Sequence, residues 1–344
     1  MDKKRKFSYK SYPVTHVLKV QERAKKYAEP IDRLNEELLG VYDRVVLDQA
    51  EKMLREEVFQ KLKSVLEREF AENSIKVEKY GSFMTDMMVG KSDIDVTVLY
   101  EQEGDLKYRT ANDVLREIFK VLLKHDFCDG EIIHLKKARI PILKCTDKKY
   151  KIKIDISVNQ KDGLVSGEFM KKKKEEIRDI EYMAVLLKYF MKRRCLSETH
   201  SGGLSAYAQF LLILNFLQLH PLTESSSIKQ NLGAFMMDFF MYYAHIDFRR
   251  AVVNVKDGKY RKNESGFCIF IDDPICDDFS NVTPNCSQIG RIQDLFRKCY
   301  KTMAEALKSR VDRRILNDIW FKFNQKELQQ RSDNVKLYKK KKNV

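Results

Sequence analysis

At 344 residues the chain is long enough for two ordinary domains, and 43% apolar with 33% charged residues suits a soluble globular protein. Its formal charge of +15 favours a polyanionic partner, nucleic acid or an acidic membrane surface, the bland alternative being a solubilising surface. No apolar run approaches the roughly 20 residues that span a bilayer, and the basic start MDKKRKFSYK has no apolar segment behind it to make a secretory signal.

Residues 1–29 read as a basic N-terminal arm, in which Lys3 to Lys6 form a weak nuclear-import pattern. From Pro30 to Phe70 the pattern is helical. Pro30 suits a first turn, and Ile31, Leu34, Leu38, Leu39 and Tyr42 recur at three and four residues, followed by Met53, Leu54, Val58, Leu62, Val65 and Leu66. Ser74–Tyr80 then alternates apolar and polar residues, and Asp93–Tyr100 is β-branched. Ala111–His125 is an amphipathic helix, and 131–145 and 150–158 are β-like. This order predicts a compact α/β unit with a mixed sheet.

Beyond about residue 165 the chain turns helical, with helices expected over Glu175–Arg194, Gly203–Gln218, Leu232–Tyr243 and Ile289–Val311. A loop-rich insert, 246–288, carries a short β-like run at Phe267–Ile271. Lys336–Val344 holds five lysines in nine residues and is expected to be a disordered tail. The seven cysteines include no C-x-x-C pair, so reduced thiols and no structural zinc are expected in an intracellular protein.

The chemistry is carried by Tyr80-Gly81-Ser82, followed by Ser92-Asp93-Ile94-Asp95. Residues i and i+2 of a strand share a face, so Asp93 and Asp95 stand together while Ile94 and Val96 point to the other side. Adjacent carboxylates repel, and a fold that holds them together usually supplies a cation; oxygen donors suit Mg²⁺ or Mn²⁺. A third carboxylate, Asp155, lies on the polar face of the strictly alternating run KIKIDISV. Three aspartates on adjacent strands can hold two metal ions roughly 3.5–4 Å apart. Gly81 allows a close backbone approach to a phosphate, and the Ser82 hydroxyl can hold its oxygens.

Gly-Ser, a short spacer, Asp-x-Asp and a later third Asp resemble the signature of the DNA polymerase β-like nucleotidyltransferases. Within them, Lys137–Lys144 (KARIPILK), His200–Leu204 (HSGGL) and the Asn231-Leu232-Gly233 and Asp238-Phe239-Phe240 segments are similar to the Trf-type nuclear poly(A) polymerases, the catalytic subunit of the TRAMP complex. The similarity covers roughly residues 30–310.

The resemblance implies a fold: an α/β mixed-sheet nucleotidyltransferase domain plus a mainly helical central PAP-associated domain, with the active site in the cleft between them. On this reading the N-terminal helices (30–52) pack on the central domain, the catalytic domain spans 53–165, the central domain spans 166–325 with a nucleotide-recognition loop at 271–290, and a basic tail covers 326–344.

It also implies roles. Asp93, Asp95 and Asp155 would be catalytic and metal-binding, with Asp155 also activating the RNA 3′ hydroxyl. Gly81 and Ser82 would hold phosphates, Ser92 would be nucleotide-binding, and Ser166 and Ser205 would be ribose or phosphate contacts. Lys188 and Lys192 would hold the triphosphate, being i and i+4 on one helix face. Tyr207 would stack on the base, although an aromatic there also fits a core role. Asp277, Asp278 and Asn281 would lie in the base-selecting loop. A carboxylate can accept from the exocyclic amino group that adenine has and uracil lacks. Uridylyl-adding relatives place a histidine before the Asn-Val pair, where this chain has Ser280.

The implied activity is template-independent addition of AMP from ATP to RNA 3′ ends with Mg²⁺ or Mn²⁺, in nuclear RNA surveillance and exosome-linked decay. RNA phosphates could be met by Lys171–Lys174 and the basic ends. The implied partners are a zinc-knuckle RNA-binding protein and an RNA helicase, with no membrane contact. Terminal uridylyl transfer and a non-catalytic RNA-binding scaffold are the alternatives.

Overall fold

The computed structural model describes residues 30–73, 75–90, 92–100, 110–220, 227–256, 261–278, 280–308, 316 and 325–342. The N-terminal arm with its Lys3–Lys6 run therefore lies outside the described residues. The chain forms two compact units, one of residues 47–176 with 323–344, the other of residues 1–46 with 177–322.

The first unit is built on a five-stranded sheet in the order β1-β2-β5-β4-β3, from β1 (Lys76–Lys79), β2 (Ile94–Leu99), β3 (Ile133–Leu135), β4 (Ile142–Thr146) and β5 (Lys153–Val158). The central pair β2 and β5 runs parallel, and every other pairing is antiparallel. This is the expected mixed sheet. Its inward residues Ile94, Val96, Val98, Ile154 and Ile156 are fully buried, and they pack with Leu54, Val58 and Leu62 and with Val114, Leu115, Ile118 and Leu122. Period-2 burial in strands against period-3.6 burial in helices gives one apolar layer between them.

Local sequence sets the helix starts of this unit. Asp48 and Glu51 form a reciprocal capping box that opens the helix Gln49–Glu69, and Thr110 with Asp113 does the same for Ala111–Lys124. Because Gln49–Glu69 is one continuous helix, the unit begins at Leu47, ahead of the expected boundary at 52/53.

At the other end, the helix Lys161–Glu176 belongs to this unit and not to the helical one. Its glycines explain why. A Cβ on Gly163 would meet the Tyr80 ring at 2.8 Å, and one on Gly167 would meet Met84 Sδ at 2.6 Å. Two glycines a turn apart let this helix lie directly on the Gly81–Met84 turn.

The C-terminal stretch corrects an expectation. Gln325–Lys342 is a helix, not a disordered tail. Its Arg331, Asn334 and Tyr338 fall on one stripe, at the i, i+3, i+7 spacing of a buried helix face. Asn334 donates to the Tyr150 carbonyl at 2.9 Å, and Tyr338 is buried within the sheet unit's core. The lysine count concealed this stripe.

The second unit is mainly helical: Pro30–Val45, Ile180–Lys192, Ala206–Leu219, Leu232–His245 and Ile289–Lys308, with a small three-stranded sheet (Ala251–Val253, Arg261–Lys262, Phe270–Ile271) inside the loop-rich insert. An aromatic cluster of Phe190, Phe239, Phe240, Tyr243 and Phe296 fills its centre, the rings meeting edge-on or tilted at 4.9–5.9 Å. No described helix is long and apolar enough to cross a membrane.

Candidate active site

The site begins with register. Asp95 on β2 is the direct partner of Asp155 on β5, so in this parallel pair both side chains leave the same face of the sheet. Asp93 lies two residues before Asp95, at the mouth of the strand. Both Asp95 and Asp155 are half-buried while their strand neighbours Ile94, Val96, Ile154 and Ile156 are fully buried on the opposite face. The arrangement follows from the alternation in DIDV and KIDIS: the apolar side must face the helices, which drives Asp95 and Asp155 to the other side.

The Tyr80–Met84 turn closes over this face. Tyr80 N–H donates to the Asp95 carbonyl at 3.1 Å, which continues the β1–β2 ladder by one bond. Gly81 follows at φ +61°, and a Cβ there would meet Asp95 Oδ2 at 2.8 Å. Only glycine fits both the left-handed backbone and this close approach. Ser82 is half-buried in the same turn. The Tyr80 hydroxyl accepts from Ser157 Oγ at 3.3 Å, and burial, reinforced by the negative charges of Asp95 and Asp155, pushes its pKa up to about 12.

Beside Asp155 on β4 stands Lys144, its direct strand neighbour, whose ammonium is ion-paired with Asp155 Oδ2. Burial raises the Asp155 pKa, Lys144 pulls it down, and the negative charge of Asp93 pushes it up again. The like charges of Asp93 and Asp155 repel, and Asp155 pairs with the Lys144 ammonium. Among the described residues, no three acidic, His or Cys side chains stand together as a finished ion cage. The donor set nevertheless fits a hard divalent cation: carboxylate oxygens on one face, one of them already holding a positive charge, with Gly81 leaving room beside Asp95.

The remaining expected site residues are placed as follows. Ser92 is buried, and its hydroxyl accepts from Val89 N–H at 3.0 Å, bracing the turn that delivers Asp93. Ser166 donates to the Gly163 carbonyl at 3.2 Å inside its own helix. Ser205 caps the helix Ala206–Leu219 by accepting from Ala208 N–H at 3.1 Å. The first polar commitment of each of these serines is to its own backbone.

In the helical unit, Lys188 and Lys192 sit one turn apart on Ile180–Lys192, both half-buried. Tyr207 is also half-buried and donates to Asp273 Oδ1 at 2.9 Å. Burial and the Asp273 carboxylate both raise its pKa. Asp273 is the residue of this loop that the sequence reading passed over. Asp277 and Asp278 are exposed. Asn281 is tied into the loop itself. Its Oδ1 accepts from Ile271 N–H at 3.1 Å and Thr283 N–H at 2.9 Å, and its Nδ2 donates to the Ile269 carbonyl at 3.1 Å.

Sequence reasoning gave no role to Lys144 or Gly163, which touch the site or its turn, and gave Tyr80 none beyond its place in the motif. The signals were present: a G-x-x-x-G spacing at 163–167, and a lysine in a polar-facing β position.

Fold and donor set together define a nucleotidyltransferase palm. Residues 34–172 match the family model described as the central palm domain of poly(A) RNA polymerase, mitochondrial-like. The chain is 32% identical over 241 residues to the poly(A) RNA polymerase gld-4 of Caenorhabditis elegans, which covers 69% of this chain and 28% of that protein. It is 26% identical over 265 residues to poly(A) RNA polymerase protein 1 of Saccharomyces cerevisiae, covering 70% of this chain and 40% of that protein. The solved polymerase core of TRAMP, an RNA surveillance complex, superposes with a TM-score of 0.74 at 22% identity, covering 86% of this chain and 95% of that one. The Cid1 poly(U) polymerase superposes with a TM-score of 0.67 at 20% identity, covering 84% and 98%. This chain is a homologue of the Trf- and Pap-type poly(A) RNA polymerases. It spans 28%, 38% and 45% of the first three curated relatives it matches, well short of their full lengths.

Proposed function

We propose that the chain is a template-independent poly(A) polymerase that transfers AMP from ATP to RNA 3′ ends, the 3′ oxygen bonding to the α-phosphorus as pyrophosphate leaves. The observation that carries this reading is the direct pairing of Asp95 with Asp155 on adjacent parallel strands, with Asp93 two residues upstream and Gly81 against Asp95. Asp93, Asp95 and Asp155 would hold Mg²⁺ or Mn²⁺. Bound there, divalent metal neutralises triphosphate charge and lowers the pKa of the attacking hydroxyl.

The chain's own residues do the rest. Asp155 accepts the proton of the RNA 3′ hydroxyl or orients that hydroxyl, and for this its carboxylate must exchange the Lys144 ammonium for the reacting groups. The backbone at Gly81 and the Ser82 hydroxyl hold phosphate oxygens, while Tyr80 walls the site and keeps its proton at neutral pH. From the helical unit, Lys188 and Lys192 bind the triphosphate and Tyr207 stacks on the base. Ser92, Ser166, Ser205 and Asn281 serve by shaping these segments, and Asp277 and Asp278 take part in base choice.

Adenylate is favoured over uridylate by the poly(A) polymerase homologues and by Ser280 where uridylyl-adding relatives carry histidine. Uridylyl transfer is the second reading, favoured by the fold shared with Cid1. The finer proposals rest on the TRAMP likeness: nuclear residence, a role in RNA surveillance, and zinc-knuckle and helicase partners. The deciding test is extension of labelled oligo(A) with each of the four NTPs separately, in Mg²⁺ and in Mn²⁺. Preferential use of UTP would replace the adenylyl assignment, and no extension with any NTP would remove the polymerase one.

A further inference from the structure

The C-terminal helix Gln325–Lys342 reaches the loop that carries Asp93 through a continuous set of buried contacts. Arg331 meets Glu51 as a fork, Nε to Oε1 at 2.6 Å and Nη2 to Oε2 at 2.7 Å. The pair is almost dry, with side-chain exposures of 14% and 5%. Glu51 is also committed to the start of its helix, because its Oε2 accepts from Asp48 N–H at 3.0 Å. One turn on, Arg55 is buried; its Nη1 donates to the Glu51 carbonyl at 3.4 Å and its Nη2 to the Gly90 carbonyl at 3.0 Å.

Gly90 lies in the turn whose closing bonds are Ser92 N–H to the Val89 carbonyl at 2.7 Å and Val89 N–H to Ser92 Oγ at 3.0 Å. Asp93 follows immediately. The charges along this path alternate: Arg331 positive, Glu51 negative, Arg55 positive, Asp93 negative. Burial lowers the Arg55 pKa to about 10, and Glu51 and Asp93 act against that fall while Arg331 adds to it, so all four groups share one electrostatic neighbourhood.

We infer that Arg331 is a positioning residue for Asp93: through Glu51 and Arg55 the C-terminal helix fixes the 85–93 turn and with it the first carboxylate of the site. The physical reason is cooperative. The Arg–carboxylate fork holds both Glu51 carboxylate oxygens, whereas without it only the Asp48 N–H bond to Oε2 remains. Losing the fork leaves a buried carboxylate with Arg55 as its near cation, which draws Arg55 from Gly90 and loosens the turn. Asp95 and Asp155 are anchored by strand register instead and do not depend on this path. The activity arm of the test rests on the polymerase reading; the exchange arm does not.

Amide hydrogen exchange on the full chain is compared between the parent, Arg331→Met and Arg331→Lys. The expected result for Arg331→Met is exchange about tenfold faster at Val89 and Ser92, with the β5 amides of Ile154 and Ile156 unchanged. In primer extension at saturating ATP, kcat should fall about tenfold or more, because the turn delivers the first carboxylate of the site. Arg331→Lys, which keeps the charge and loses the fork, should lie between the two in both measurements. Uniformly faster exchange across the sheet unit with unchanged kcat per folded molecule would assign Arg331 a merely structural role and overturn the inference, as would faster exchange confined to the C-terminal helix. Should Arg331→Met not fold, the Lys variant decides on the same two sites. Absence of extension by the parent chain would remove the polymerase reading and leave the exchange result to judge the coupling alone.

Discussion

Replacing Gly81 with alanine should cost little stability and most of the activity, and the disparity is the test. At an ordinary helix start, Gly→Ala stabilises by roughly 0.4–1 kcal/mol through the unfolded state. Here φ is +61°, a left-handed backbone that costs an L-residue about 1–2 kcal/mol, so the sign reverses. The added Cβ would stand 2.8 Å from Asp95 Oδ2, closer than side chains approach. That atom is the far end of a side chain and not backbone, so the carboxylate can give way. Strain less the unfolded-state gain leaves a net loss of roughly 1 kcal/mol of stability. A swung carboxylate, however, no longer shares its position beside Asp155, and extension should fall by about a hundredfold or more. Urea unfolding of the sheet unit measures the first quantity, and ATP-dependent extension of oligo(A) at saturating ATP measures the second. Unchanged stability together with full extension would refute the geometry. A rate loss no larger than the rise in unfolded fraction would refute the catalytic part of the reasoning.

Other outcomes follow from the same contacts. Asp93→Asn and Asp95→Asn should each lower extension by roughly three orders of magnitude while oligo(A) binding stays within a few-fold, as read by filter binding; retained activity in either removes that residue from the donor set. Tyr207→Phe keeps the ring and removes the hydroxyl that donates to Asp273, so KM for ATP should rise no more than a few-fold. Tyr207→Ala should raise it about tenfold, since base–aromatic stacking is worth roughly 1–3 kcal/mol; equal effects of the two variants would give the role to the hydroxyl. In the helical unit, burial raises the Asp43 pKa from 3.8 to about 6, with Lys229 opposing and Glu36 adding to the rise. Its carboxyl is easier to protonate folded than unfolded. The stability it lends is therefore complete below about pH 4 and is lost as pH climbs through about 6. Asp43→Asn should accordingly stabilise by up to roughly 2 kcal/mol at pH 7.5 and not at pH 4; equal effects at both pH values would contradict the burial argument.

Much of the site was readable because it depends on short-range rules. The two-residue period of a strand places Asp93 and Asp95 on one face, and the alternation KIKIDIS puts Asp155 on the polar face, without knowledge of any neighbour. The capping boxes at Asp48 and Thr110 are equally local, written within four residues, although the helical pattern over Pro30 to Phe70 was read without them.

What the sequence determined by itself was chemical identity and facing: which side chains are acidic, and which side of its own strand each one takes. Tertiary structure decided which strands become neighbours, and so that Asp95 and not another residue stands opposite Asp155. It also supplied Lys144 to Asp155, laid Gly163 against Tyr80 and joined Arg331 to Glu51, residues 280 positions apart. Pairing across such separations depends on the burial of whole faces, an energy summed over many residues, and no local spacing records it.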